Sequence, residues 1–368
     1  MRAGRLAART GRLAVVLAVA AALVGAGAGG AAAVQAPNAA AASAPQDACG
    51  ALAADRATAP AERGPSGADA KAAGTAAQTV SYRQPTQLPI GLWSAAAITL
   101  RVPAGTGTVR LDLVSKGFST DSVEVQHWVP TAHKWVDLAV SGGAGDFPTK
   151  GGFSFPLSTT AAVAKPFART VALRLQDLDR PGSLAVTASY TDAHHHVYRA
   201  PVLRSTVTRP QTRVTGWPAH AVLVRGGAAQ KVTMTVHNTT DRAYPSVATL
   251  FYAYGMGGNQ VLAPDDLVLQ QYLAGTGWIR LPLTASPCDP GMSAVPRPVA
   301  GTRLAPGATE TVQLRLAVAA TAPPAVTHAE AGFSVQSGDA TLASTSLPFT
   351  LRAPAVTPAA PGDHGQRR

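Results

Sequence analysis

The chain has 368 residues, 46% of them hydrophobic and 14% charged, with 31 lysines and arginines against 20 acidic residues and a formal charge of +11. The arginines are scattered along the chain instead of gathered in one cluster, which excludes the electrostatic footprint of a nucleic-acid-binding protein. A mild attraction to anionic wall or membrane polymers is the most that the basicity supports.

The first residues carry Arg2, Arg5, Arg9 and Arg12 and no acid, and an apolar run from Leu13 to Val24 follows. That is the layout of a secretory signal peptide. The run falls short of the roughly 20 residues that a helix needs to cross the hydrocarbon core. Cleavage is expected after Ala33, at the end of Ala31-Ala32-Ala33, so that 1–33 is the leader and no stable membrane span remains in the processed chain. The arginines are not paired, so a twin-arginine route is not expected. Losing these four arginines lowers the formal charge from +11 to +7.

Residues 34–75 are almost all Ala, Pro, Gly, Ser and charge. Such a stretch buries too little apolar surface to offset the entropy of ordering it, and it is predicted to be a disordered linker. Cys49 lies in it, and Cys288 is the only other cysteine. Outside the cytoplasm the two can form a disulfide, worth about 4 to 5 kcal/mol on the loop-entropy model. Nothing in the sequence brings them together, so the paired and free states both stay open. Cys49 is not a lipoprotein cysteine, because it sits far beyond the apolar run and follows Gln46-Asp47-Ala48.

From residue 76 to residue 353 the sequence is a succession of short alternating runs punctuated by Gly, Pro, Asn and Asp. Ile98-Thr99-Leu100-Arg101-Val102, Val109 to Leu113, Val171 to Leu175 and Val232 to Val236 are examples. Period-two alternation with β-branched residues predicts strands that place one face on a core. No 3.6-residue period is sustained. The fold class expected is all-β, as antiparallel sandwiches.

An internal repeat divides this region. Val123-Glu124-Val125-Gln126-His127-Trp128, a loop and Trp135-Val136-Asp137-Leu138 return as Leu267-Val268-Leu269-Gln270-Gln271-Tyr272, a loop and Trp278-Ile279-Arg280-Leu281. Thr170 to Leu175 returns as Thr311 to Leu316, and Gln78-Thr79 as Gln211-Thr212. Three matches in the same order predict two domains, 76–208 and 209–353, parted near Arg209-Pro210 and followed by a disordered tail over 354–368.

Val232 to Val236 running into His237-Asn238-Thr239-Thr240-Asp241, then Gly277 to Leu281, then Leu304-Ala305-Pro306-Gly307-Ala308-Thr309 make the second unit resemble bacterial immunoglobulin-like modules of the CARDB or NEW3 kind. The first unit matches less well, since Val102 to Gly107 stands in place of the Asn-Thr-Thr turn. The heavy use of Ala, Gly, Pro and Arg suggests an exported protein of actinobacterial type. The resemblance implies a surface, stalk or binding role and no particular ligand.

Several residues invite a chemical reading. No G-x-S-x-G elbow is present, and Asp265-Asp266 and Asp177 with Asp179 read as solvated turns more readily than as catalytic pairs. His194-His195-His196 sits between two strand-like runs, where at most two side chains would face one ion, so a solvated turn is expected and no metal site. Asn238-Thr239-Thr240 is formally a glycosylation sequon and reads as a hairpin turn. Leu347-Pro348-Phe349-Thr350 resembles a sortase motif, but Leu351 replaces the glycine and no apolar span follows.

The aromatic pairs are the candidate site. Alternation places Gln126, Trp128 and Trp135, and likewise Gln270, Tyr272 and Trp278, on the face opposite the core-like residues. Aromatics beside polar side chains suit stacking on a sugar or contact with a peptide, while cross-strand aromatic pairs also pin hairpin register. The sequence thus predicts a secreted, extracellular or wall-associated, non-enzymatic adhesion-type protein without cofactor, whose partners are wall polymer, glycan or another surface protein. An accessory carbohydrate-binding protein using these pairs is the alternative, and a hydrolase with an unrecognised site is a further one.

Overall fold

The computed structural model describes residues 63–66, 75, 79–102, 105–159, 168–286, 290–298 and 301–354. The leader, most of the 34–75 segment, both cysteines and the tail beyond Pro354 lie outside the described residues. Among the described residues helix is confined to short 3-10 turns, and no helix is long and apolar enough to cross a membrane.

The chain folds as antiparallel β-sandwiches of immunoglobulin type. In the first, a five-stranded sheet runs β1 (Val80–Arg83), β3 (Ser94–Leu100), β9 (Arg169–Asp177), β5 (Val123–Val129), β6 (Lys134–Asp137). The facing sheet runs β2 (Gln87–Pro89), β12 (Leu203–Thr208), β10 (Gly182–Asp192), β4 (Gly105–Lys116), β8 (Lys150–Thr159), β7 (Val140–Ser141), with β11 (Val197–Arg199) also on β10.

The second sandwich repeats this connectivity. Its five-stranded sheet runs β13 (Gln211–Thr215), β15 (Gln230–His237), β23 (Thr309–Val318), β18 (Leu267–Leu273), β19 (Gly277–Arg280). The facing sheet runs β14 (Ala221–Val224), β25 (Ala340–Arg352), β24 (His328–Ser337), β16 (Tyr244–Gly257), β21 (Met292–Ala294), β20 (Thr284–Ala285). The strands β17 (Gln260–Val261) and β22 (Thr302–Leu304) pair with β16. In each sandwich the opening segment changes sheets, and its second half lies parallel to the last strand, β2 on β12 and β14 on β25.

Alternation accounts for the layers. Val109, Leu111 and Leu113 of β4 are buried while Arg110 and Val114 face outward, and Val232 and Met234 of β15 are buried opposite Leu314 and Val312 of β23. Burying one face of the long strands supplies the apolar area on which such a sandwich depends, at roughly 25 cal/mol per Å².

The two sandwiches touch through buried polar contacts. Tyr244 donates its hydroxyl to the Ile90 carbonyl at 3.1 Å, and both residues are fully buried. One guanidinium nitrogen of Arg242 donates to the Trp93 carbonyl at 2.9 Å and to Ser94 Oγ at 3.0 Å. Gly91 makes the approach possible, since its φ is 74° and a β-carbon there would come within 2.5 Å of Ala340 Cβ.

Candidate functional site

On each five-stranded sheet the last two strands carry an aromatic pair on the outer face. Trp128 of β5 and Trp135 of β6 are direct cross-strand partners, with ring centroids 5.4 Å apart at 64°. Tyr272 of β18 and Trp278 of β19 occupy the corresponding register, 5.5 Å apart at 62°. These edge-to-face contacts use the ring quadrupoles favourably and fix the hairpins. The four aromatic positions differ in openness: Trp128, Trp135 and Trp278 are half-buried, whereas Tyr272 is 42% exposed.

An arginine from the neighbouring strand completes each pair. Arg174 of β9 lies 4.7 Å from the Trp135 ring centroid, and its Nε donates to Gln126 Oε1 at 2.5 Å. Arg315 of β23 lies 4.6 Å from Trp278, and its Nε donates to Gln270 Oε1 at 2.6 Å. Each guanidinium is thus held over an indole by a glutamine, a cation–π arrangement that arginine's planar fork suits better than lysine. The six residues predicted from sequence all belong to these assemblies, and Arg174 and Arg315, which the sequence reading did not single out, are what joins them.

The assemblies differ in three ways. First, Arg174 is also covered on the side of Trp93, at 4.5 Å, and the register places Ala229 where Trp93 stands. Second, Gln126 donates to Asp137 at 2.6 Å, but Gln270 faces Arg280. Third, the first pair is covered. Trp135 donates its indole N–H to the Arg63 carbonyl at 2.8 Å, and a β-carbon on Gly64 would lie 3.0 Å from Trp128 Cζ2. Two residues of the predicted linker, Arg63 and Gly64, are therefore seated on the first aromatic pair.

The other sequence candidates are structural. Asp192 accepts from the His194 and His196 backbone N–H groups, both at 2.9 Å, and from His196 Nδ1 at 3.2 Å. Slight desolvation pushes the Asp192 carboxyl up, and these bonds outweigh it and hold the carboxyl below its ordinary range. His195 takes the left-handed φ of 67° that closes the turn. Among the described residues no group of three or more His, Cys, Asp or Glu side chains is arranged to hold a metal.

Asp266 accepts from the Ala263 N–H at 2.8 Å in a 3-10 turn, and Asp179 pairs with Arg180 at 2.9 Å. Asp177 is only 2% exposed and accepts from Ser122 Oγ at 2.5 Å, while burial pushes its carboxyl up to about 6. Asn238 is fully buried, donating to the Arg242 and Leu304 carbonyls and accepting from Thr240, so it is a turn lock that no sugar-transferring enzyme reaches in the folded chain. Leu347 and Phe349 are buried within β25, which removes the sortase-like segment from access.

No family model matches the chain, and no curated protein matches it. Among solved structures, the C-terminal domain of the antigen I/II-family protein AspA of Streptococcus pyogenes is similar with a TM-score of 0.38 at 9% identity, over 74% of this chain and 99% of that one. The C-terminal domain of the antigen I/II polypeptide BspA of Streptococcus agalactiae has a TM-score of 0.33 at 9% identity, over 74% and 99%. AvmM, which catalyses macrocyclization in alchivemycin A biosynthesis, has a TM-score of 0.31 at 14% identity, over 41% and 92%. Similarities of this size carry no conclusion about activity or partner.

Proposed function

We propose that this is an exported, non-enzymatic protein of the cell surface or its surroundings, and that its aromatic edges are contact surfaces, the first for the chain's own Arg63 and Gly64 and the second for another molecule. The observation that carries this reading is the recurrence of one four-group assembly, aromatic pair, arginine and glutamine, at the same register in both sandwiches. Register pinning needs only the pair; the cations and half-open rings beyond it are the equipment of recognition. The contacts from Arg242 and Tyr244 hold the two sandwiches against each other, which suits a protein that presents its edges at a set spacing. The internal duplication, the division at residue 209, the likeness to CARDB- or NEW3-like modules and the leader over 1–33 all belong to the same proposal.

Retention on isolated cell walls and on washed cells tests it. The wild-type chain is expected to be retained and the Trp135→Ala/Trp278→Ala double variant to be lost to the wash, with its circular dichroism unchanged. Equal retention of both proteins, or turnover of a substrate abolished by a single Asp or His substitution, removes the reading.

A further inference from the structure

We propose that the edge formed by Tyr272, Trp278, Lys231, Arg280 and Arg315 docks an extended, glycine-containing, acidic segment of a partner polypeptide. This rests on the reading of the aromatic edges as contact surfaces and names what one of them takes.

The first edge shows what such a pair accepts. A main-chain carbonyl, that of Arg63, receives the indole N–H of Trp135, and Gly64 lies over the Trp128 ring where a side chain would press on it. The second edge keeps the same pair geometry and the same arginine on its indole, and it is open. Tyr272 is 42% exposed, and among the described residues no acceptor meets the Trp278 indole N–H. An extended backbone fits the vacancy by the contacts already realised in the first sandwich.

The charge of the occupant follows from the row of cross-strand partners beside each pair. In the first sandwich that row is Ala95, Arg174, Gln126 and Asp137, one cation and one anion. In the second it is Lys231, Arg315, Gln270 and Arg280, three cations. Like charges placed across from one another weaken a sheet, and among the described residues no ion pair relieves Lys231, Arg280 or Arg315. The excess of cations in the row therefore opposes the fold, while carboxylates laid across it gain charge-assisted hydrogen bonds from two guanidinium forks. A second copy of this chain is a poor occupant, because its corresponding segment brings Arg63 to a cationic edge. A sugar is less favoured than a peptide, because Arg315 already covers one face of the Trp278 ring.

The test is titration of the full chain, with its tryptophans labelled by nitrogen-15, against a heptapeptide. The chain's five tryptophans give five indole resonances, assigned by single Trp→Phe variants. The probe is residues 61–67 carrying Arg63→Glu, that is Ala-Glu-Glu-Gly-Pro-Ser-Gly. The Trp278 resonance is expected to move saturably while that of Trp135 stays in place. The same peptide with Gly64→Val, and the unaltered Arg63 peptide, are expected to bind at least about tenfold more weakly, as is the probe to an Arg280→Asp chain. High salt weakens the interaction.

No movement of Trp278 at millimolar peptide overturns the proposal, and so does equal binding of the Gly64→Val peptide. Movement of Trp278 with protein concentration alone assigns the edge to a second copy, tighter binding of a uronic-acid oligosaccharide assigns it to a glycan, and peptide binding seen only after removal of 354–368 assigns it to the chain's own tail; each of these also overturns the proposal. Wall retention that depends on Trp278 in a chain that ignores the peptide leaves the contact-surface reading standing and removes this inference alone.

Discussion

Asp137 and Arg280 stand at the same place on the two edge strands, each directly across from a glutamine, and their charges are opposite. In the first sandwich the acid accepts from Gln126 at 2.6 Å and balances Arg174. In the second, the cation joins Lys231 and Arg315 in one row.

Arg280→Asp is expected to raise the stability of the isolated protein by about 0.2 to 1 kcal/mol, because it replaces a like-charge neighbour by an acceptor for Gln270. Thermal unfolding at low ionic strength measures this. The gain is expected to shrink as salt is added, since the edge is solvated and screening acts on it.

Asp177 sets a pH dependence. Burial, the largest influence, pushes its carboxyl from 3.8 up to about 6, against the opposing hydrogen bonds of Ser122 and the Asp179 N–H. Its folded-state value lies above the unfolded one, so the folded state binds the proton more tightly. The resulting stability is complete below about pH 4 and is lost as pH rises through about 6, with a span on the order of 3 kcal/mol. The Asp177→Asn variant is expected to lack this component. Subtracting its pH–stability curve from that of the wild type reads the component directly, free of the other carboxylates.

The junction between the sandwiches rests on a few buried polar groups. Tyr244→Phe removes the donor to the Ile90 carbonyl, and Arg242→Ala removes the donor to Trp93 and Ser94. Each is expected to cost about 1 to 3 kcal/mol by stranding a buried acceptor. Chemical denaturation gives the loss, and small-angle scattering of the Arg242→Ala chain is expected to show a larger radius of gyration as the sandwiches part.

The parts of this architecture visible in the sequence are the local ones. Alternation in Val232, Met234 and Val236 marks a strand because one face must be apolar, and the paired hairpins at Trp128/Trp135 and Tyr272/Trp278 stand out because their residues are close in sequence. Arg174 and Arg315 escaped notice although both lie in a matched pair of strands, Thr170 to Leu175 and Thr311 to Leu316. Their role depends on β9 lying beside β5 and on β23 lying beside β18, pairings between segments some 45 residues apart that no local period encodes. A signal was available: Gln126 and Gln270 recur with an arginine in the matched strand. The seating of Arg63 and Gly64 was not legible at all, because that segment has no large apolar residue, and it meets the aromatic pair through a main-chain carbonyl and a glycine without a side chain.

Export has its own test. The chain produced with its leader in a secreting bacterial host is expected in the medium with a mass corresponding to a start at Val34. A protein retained in the cell at the full 368-residue mass contradicts the reading of 1–33 as a leader.

One aromatic edge is closed by the chain itself and the other is open. Exchange of the indole N–H protons with solvent measures that difference in a single experiment. The Trp135 proton, bonded to the Arg63 carbonyl, is expected to exchange far more slowly than the Trp278 proton, and Gly64→Val is expected to speed Trp135 without touching Trp278. Equal exchange at the two indoles, or a Trp135 rate indifferent to residue 64, contradicts it.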